Sequence, residues 1–244
     1  MGHADRLIRS SRKLSERLAP IRFGEPVTHI YNPLEHASRG YHKYLRRFGN
    51  SPKRVVFLGM NPGPYGMTQT GVPFGEISAV RDWLGIEARI DRPLNEHPKR
   101  RVDGFACQRK EVSGARLWGA IADHWIEPQA FFQSHFIANY CPLVFMEESG
   151  RNRTPDKLPA SEREPLYQAC NDHLRRLVEI LEPEWVVGIG AFAEKRARDV
   201  LGDMGLEFGR VLHPSPASPK ANRDWAGEAR KDLEALGFCA KAAR

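Results

Sequence analysis

Short apolar runs alternate with longer amphipathic stretches along most of this chain. The apolar runs predict four strands, at residues 54–58, 136–139, 185–189 and 208–212. Between them, apolar positions at helical spacing predict helices at residues 76–84, 115–124, 164–181 and 192–201. Strands that alternate with helices indicate a parallel sheet with helices on both faces. We therefore expect an α/β fold, a three-layer α/β/α sandwich with a central four-stranded, mostly parallel sheet.

The N-terminal part has a different pattern. Leu7, Ile8, Leu14 and Leu18 lie among charged residues and predict an amphipathic helix at residues 4–18. A loop rich in Pro and Gly follows, and then a short helix at residues 42–48 with a basic outer face. We expect one domain over residues 1–244, with a helical segment at about 1–25 and a core at about 26–236.

Composition narrows the class of protein. No stretch approaches the roughly 20 apolar residues of a membrane span, and no signal peptide is evident, so we expect an intracellular protein without a membrane partner. Lys and Arg outnumber Asp and Glu by 37 to 30, giving a formal net charge of +7. An excess of positive charge is typical of chains that meet a polyanion.

The four cysteines lie far apart and form no C-x-x-C pair: Cys107, Cys141, Cys170 and Cys239. Their spacing fits no zinc or iron–sulfur pattern. We expect reduced, mostly buried thiols, with no metal and no cofactor.

A loop with polar or small residues follows each predicted strand. These loops carry Asn61, Asn139, residues 188–190 and His213. In a parallel sheet, ligands bind beyond the carboxyl ends of the strands, so the loops should form one crevice. Two amides and an imidazole would meet there, without a carboxylate, a nucleophile pair or a metal cluster.

A long basic segment at residues 89–112, without a predicted helix or strand, precedes the helix predicted near Ala115. Ser113 is a candidate N-cap for that helix, and a helix N-terminus beside these cations could hold a phosphate. The alternative, a solvated basic loop, stays open.

Several of these segments together resemble the single-strand-selective monofunctional uracil-DNA glycosylase family. The resemblance extends from about residue 26 to residue 225 and is carried by residues 59–67, 70–76, 97–100, 111–116, 139–143 and 213–222. It implies hydrolysis of the bond between deoxyribose and uracil in DNA, leaving an abasic site. No lysine is assigned as a Schiff-base nucleophile, which agrees with an enzyme that leaves the strand uncut.

The resemblance also implies roles in the reaction. Asn61 would orient the attacking water, although an amide cannot act as a general base. Phe74 would be the aromatic floor beneath the uracil ring. Asn139 would read the hydrogen-bonding edge of the base, and His213 would stabilise negative charge on the departing uracil.

Two further residues are implied to line the base pocket. Met60 would contribute its backbone, and Gly63 would leave space beside uracil C5. In this family, that space is associated with tolerance of 5-substituted uracils such as 5-hydroxymethyluracil.

The expected partner is DNA that contains uracil, either single- or double-stranded. We expect the protein to act as a monomer and to lie wherever the cell keeps its DNA. The residues implied to contact DNA are Tyr65, Lys99, Arg100, Ser113, Gly114, Pro214, Ser215, Pro216, Ala217, Lys220 and Arg223. The loop at residues 214–222 should press into the duplex. Ala217 stands where vertebrate members carry Arg, so we expect a weak wedge and a preference for single-stranded or mispaired DNA.

Two other functions remain open from the sequence. Residues 188–193 match the G-x-G-x-x-A form of a dinucleotide-binding turn, with Glu207 at a suitable distance for a ribose contact. This motif belongs on a first strand, whereas here it comes late. The second alternative is a protein that binds damaged DNA without turning it over.

Overall fold

Four parallel strands form the central sheet in the computed structural model, which describes residues 1–238. Their order is β3-β2-β6-β7, and every adjacent pair is parallel. The predicted strands and their directions are confirmed, with bounds that differ by at most one residue at either end: β2 Val55–Gly59, β3 His135–Asn139, β6 Trp185–Ile189 and β7 Glu207–Val211.

The connections place helices on both faces of this sheet. β3 is added to the sheet on one side of β2, and β6 and β7 are then added on its other side. Since such crossovers are right-handed, their helices cover opposite faces. The helices are α5 Val112–His124, α7 Ala160–Leu181, α8 Ala191–Leu201 and α9 Pro219–Ala235. α7 packs on α8, and α5 packs on α9.

The two predicted N-terminal helices are confirmed as α1 His3–Leu18 and α3 Ser38–Phe48, which begins four residues earlier than expected. A short helix between them, α2 Pro33–His36, was not predicted. The apolar stripe of α1 is buried as its spacing predicts, because the helix packs between α3 and α7.

A second, three-stranded antiparallel sheet was not predicted. It has the order β1-β4-β5, with β1 His29–Tyr31, β4 Val144–Met146 and β5 Asn152–Arg153. The remaining elements have three to five residues each: α4 Met67–Thr70, a π-helical turn Ala79–Trp83 within the helix predicted at 76–84, α6 Pro128–Phe132, and 3-10 turns Gly104–Ala106 and Pro155–Lys157.

Within residues 1–238, no helix has the length and apolarity to cross a membrane. The same residues contain no group of three or more His, Cys, Asp or Glu side chains suited to a metal ion. Cys107, Cys141 and Cys170 are free thiols, the last two buried, while Cys239 lies outside the described residues.

Candidate active site

The register of β2 and β3 brings Gly59 and Asn139 to the same level at the carboxyl edge of the sheet. The two residues are direct partners in the parallel pair. The ladder then continues past the strand ends, since Tyr140 N donates to Gly59 O and Cys141 N donates to Met60 O, both at 2.9 Å. The carbonyl of Met60 is therefore bonded within the protein.

His213 follows β7 and lies over the turn after β6. Gly190 has a φ of 93°, and a β-carbon there would lie 3.1 Å from His213 Cβ. The crevice opens between β2 and β6, where the connections diverge to opposite sides of the sheet. Burial lowers the pKa of His213, so the imidazole is neutral near pH 7.

Phe74 faces His213 across this crevice. The ring centroids are 6.1 Å apart, with an angle of 46° between the planes. The φ of Phe74 is 53°, a left-handed conformation that costs a non-glycine residue about 1–2 kcal/mol. Its carbonyl accepts from Glu76 N at 2.7 Å and sits so close to Gly114 that a β-carbon there would collide with it. Strain of this kind is typical of functional sites.

The side chain of Asn61 has a defined orientation. Nδ2 donates to the carbonyl oxygens of Leu143 at 3.0 Å and Pro62 at 3.2 Å. A carbonyl can only accept, so the nitrogen must point toward both of them. Oδ1 accepts no hydrogen bond from any residue in 1–238 and remains available as an acceptor.

The amide of Asn139 has a weaker internal partner. Nδ2 lies 3.6 Å from the sulfur of Met67, and a thioether is a poor acceptor. Oδ1 lies 2.5 Å from the position that a β-carbon on Gly59 would occupy. Nδ2 can therefore exchange its sulfur contact for an acceptor on a ligand, and Oδ1 accepts no hydrogen bond from any residue in 1–238. The sequence interpretation gave Gly59 and Met67 no role.

Gly63 borders open space, since no atom lies within 4 Å of the position of its missing β-carbon. Its carbonyl accepts from Thr68 Oγ1 at 2.9 Å, which fixes the loop between β2 and α4.

Two guanidinium groups lie over the ring of Tyr65 at the rim of the crevice. Arg100 and Arg109 lie over its ring, 5.7 Å and 6.0 Å from the centroid. The turn with Lys99 and Arg100 is anchored by buried Tyr31, whose hydroxyl donates to Arg100 O at 2.8 Å. Arg109 stood out only as part of a basic stretch, because nothing in the sequence pairs it with Tyr65.

The prediction of Ser113 as the N-cap of α5 is wrong. Glu111, and not Ser113, is the N-cap, and its carboxylate accepts from the backbone N–H groups of Ser113 and Gly114. Those N–H groups are thus already bonded. Ser113 and Gly114 are both buried, and Gly114 packs against the carbonyl of Phe74. Burial raises the pKa of the Glu111 carboxyl.

Only the first half of the segment 214–222 is a loop. Ser218 caps α9 and Pro219 begins it, so Lys220 and Arg223 are exposed on a helix. This corrects the expected loop, although Ala217 is exposed at the end of the irregular part, two residues before the helix.

Arg116 on α5 holds this loop from below. It donates to Pro214 O at 3.0 Å, to Ser215 O at 3.3 Å and to Asn222 Oδ1 at 2.8 Å. Asn222 in turn donates to Pro216 O at 2.9 Å. Sequence reasoning missed Arg116, because its role depends on the packing of α5 against α9.

The glycines of the G-x-G-x-x-A motif are explained by packing. A β-carbon on Gly188 would collide with Glu194 N in α8, and Gly190 accommodates His213. Glu207 pairs with Trp185 at the amino end of the sheet, about 13 Å along the strand from Val211. The predicted ribose contact is therefore wrong, and the dinucleotide interpretation loses its support.

Comparison with known proteins agrees with this geometry. Residues 46–234 match the uracil DNA glycosylase superfamily. The chain is 47% identical to the single-strand selective monofunctional uracil-DNA glycosylase of Rattus norvegicus over 237 residues, which cover 96% of this chain and 85% of the rat protein. Identity to the protein of that name from Mus musculus is 46%, with the same coverage. The fold is similar to the crystal structure of wild-type SMUG2 from Pedobacter heparinus, with a TM-score of 0.71, 18% identity, and coverage of 98% of this chain and 100% of the other.

Proposed function

This chain belongs to the uracil DNA glycosylase superfamily, and we propose that it hydrolyses the N-glycosidic bond of uracil in DNA and leaves an abasic site without cutting the strand. The observation that carries the proposal is the meeting of Asn61, Asn139, Phe74 and His213 at one edge of the sheet. An enzyme that acts on a base must take it out of the stack and recognise it in a shaped pocket.

Asn139 recognises the base in this proposal. Its Oδ1 accepts from uracil N3–H, and its Nδ2 donates to O4. Cytosine presents the reverse pattern at these positions, so the same amide leaves unpaired groups and rejects it. Phe74 supports the ring by stacking, an interaction of about 1–3 kcal/mol per base.

His213 stabilises the leaving group. A hydrogen bond from its ring N–H to uracil O2 acts on the negative charge that develops as the bond to the sugar breaks. The imidazole donates while uncharged, because burial lowers its pKa. The neutral imidazole already carries the N–H that donates, so it does not first have to take up a proton from solvent.

Asn61 positions the nucleophile. With Nδ2 held by the carbonyl of Leu143, Oδ1 is left to accept a hydrogen bond from the attacking water. An amide cannot remove the proton, so most of the rate must come from stabilising uracil as a leaving group and the sugar as an oxocarbenium-like cation.

Met60 contributes its backbone to the pocket in this proposal, and Gly63 leaves space beside uracil C5. The open space at Gly63 supports acceptance of 5-substituted uracils such as 5-hydroxymethyluracil.

The DNA backbone is held by the basic residues around Tyr65, by the loop at 214–217 and by the first turns of α9. Exposed Ala217 is too short to fill the gap left by a flipped nucleotide, so single-stranded DNA is the better substrate and paired duplex the poorer one. In this proposal the enzyme acts as a monomer, wherever the cell keeps its DNA.

The test is to incubate the protein with a single-stranded oligonucleotide that carries one uracil. We expect free uracil in solution and a strand that breaks only after alkali. A protein that retained the oligonucleotide through long incubation without releasing base would instead be a damage binder, and strand breaks without alkali would contradict the monofunctional assignment.

A further inference from the structure

A cavity of about 530 Å³ lies between α1 and α7, away from the base pocket. The cavity extends along α7 to Glu179, close to Leu181, the last residue of this helix. Leu181 O accepts from Lys53 N at 2.7 Å, just before β2 begins. This end of α7 therefore lies at the amino edge of the sheet, whereas Asn61 and Asn139 lie at the carboxyl edge.

The rim of the cavity is strongly basic. Six cationic side chains line it against two carboxylates, Asp172 and Glu179: Arg6, Arg9, Lys13, Arg17, Arg175 and Arg176. The four on α1 follow one another at intervals of three or four residues and form a stripe about 16 Å long on one face of the helix.

Half of these charges are neutralised within the protein. Arg17 pairs with Asp172 at 2.6 Å, Arg175 pairs with Asp203 at 2.9 Å, and Arg176 pairs with Glu179 at 2.7 Å.

The other three cations, Arg6, Arg9 and Lys13, have no carboxylate within 4.0 Å among residues 1–238. Like charges at this spacing destabilise a helix, and a bound anion would relieve that repulsion.

The floor of the cavity is uncharged. Leu14 and Ala169 are apolar, and Ser10 Oγ lies 2.8 Å from His173 Nδ1. Burial lowers the pKa of His173 to about 4, so its ring is neutral near pH 7. Positive charge is thus concentrated at the rim, above an uncharged floor. The volume of the cavity is within the range of ligand pockets.

We propose that the α1–α7 cavity is a second anion site that binds an oligophosphate chain. Guanidinium groups match phosphate oxygens in charge and geometry, and two arginines and a lysine in line can contact successive phosphates. This chemistry is shared by the phosphodiester backbone of a nucleic acid strand and by free inorganic oligophosphate. The site is independent of base excision.

The test compares two triple variants. The cavity variant is Arg6→Gln/Arg9→Gln/Lys13→Gln. The control variant is Arg12→Gln/Arg46→Gln/Arg230→Gln, which removes three exposed cations that do not line the cavity. Binding of inorganic tripolyphosphate is measured by calorimetry at low salt, and binding of a 30-nucleotide strand without uracil by fluorescence anisotropy.

We expect the cavity variant to lose tripolyphosphate affinity by about tenfold or more relative to the control variant. A parallel loss of strand affinity identifies nucleic acid as the ligand, whereas unchanged strand affinity identifies a free oligophosphate. Equal tripolyphosphate affinity of the two variants, or no binding by the wild type, would overturn the proposal. Uracil release from a short oligonucleotide, followed in parallel, reports on the proposed function separately.

Discussion

Asn139 Oδ1 faces Gly59 across the β2–β3 pair, where a β-carbon on Gly59 would lie only 2.5 Å from it and 2.6 Å from Phe74 Cε2. Because Gly59 has no side chain, the amide of Asn139 and the ring of Phe74 can approach each other in the space beside it. Two residues proposed to recognise the base depend on a third that has no side chain.

Gly59→Ala should consequently impair the pocket more than the fold. We expect uracil release to fall by about tenfold or more, because Asn139 and Phe74 must both move away from the new methyl group. Gly119→Ala in α5 is the matched control, since its methyl group enters open space away from the proposed site and should leave uracil release within about twofold. Rates of base release are compared with urea unfolding of each variant. Full activity in Gly59→Ala would show that the contact is irrelevant to function.

The main sheet and the helices α1, α3, α5, α7 and α8 were predictable, because each has enough residues to display its periodicity. Helix α9 was not predicted, although it has 17 residues. The antiparallel sheet was not, since β1, β4 and β5 have only two or three residues each. The start of α9 carried a usable signal: Ser218-Pro219 is a cap followed by proline at the first helical position, and Ser218 Oγ accepts from Ala221 N.

The candidate site was predictable where a residue follows a strand. Asn61, Asn139 and His213 could be grouped by this rule alone. The contributions of Gly59 and Arg116 depend on strand register and on the packing of α5 against α9, which one sequence does not reveal. Glu111 was missed as the N-cap of α5 because Ser113, two residues later, belongs to a residue type that caps helices more often.

Arg116→Met should weaken the hold on DNA. The substitution removes the donors that hold the carbonyls of Pro214 and Ser215 but keeps much of the side-chain volume. We expect KM for a single-stranded substrate to rise about threefold to tenfold, with a smaller change in kcat, because the loop after His213 loses its orientation. Arg116→Lys, which keeps the positive charge and one donor nitrogen, should be intermediate. Unchanged KM in the Met variant would contradict this role for Arg116.

Ala217→Arg should improve excision from paired DNA. A long cationic side chain at this exposed position can enter the gap left by the flipped nucleotide, which Ala217 cannot. We expect the ratio of double-strand to single-strand rates to rise by about fivefold or more, since wedge insertion offsets a few kcal/mol of unstacking. A wild-type enzyme that already preferred the fully paired duplex would refute the premise.

Stability should fall in acid partly through His173. The folded-state pKa is lowered to about 4, whereas an unfolded histidine titrates near 6.5. The unfolded chain therefore takes up this proton first, and the contribution to stability is complete above pH 6.5 and lost as the pH falls toward 4. The loss amounts to about 3 kcal/mol.

His173→Asn is the comparison for this effect, because the amide keeps a polar atom near Ser10 and does not titrate. Urea unfolding between pH 7 and pH 4 should show a steeper decline for the wild type than for the variant. Parallel curves would mean that His173 does not contribute to the acid sensitivity.

The most direct test of the active site is the single-turnover release of uracil from a single-stranded oligonucleotide by the wild type, Asn61→Ala and His213→Ala. We expect the wild type to release free uracil and each variant to be slower by about a hundredfold or more, the size of effect seen when a transition-state hydrogen bond is removed. Undiminished release by both variants, or none by the wild type, would contradict the assignment of these two residues to the reaction.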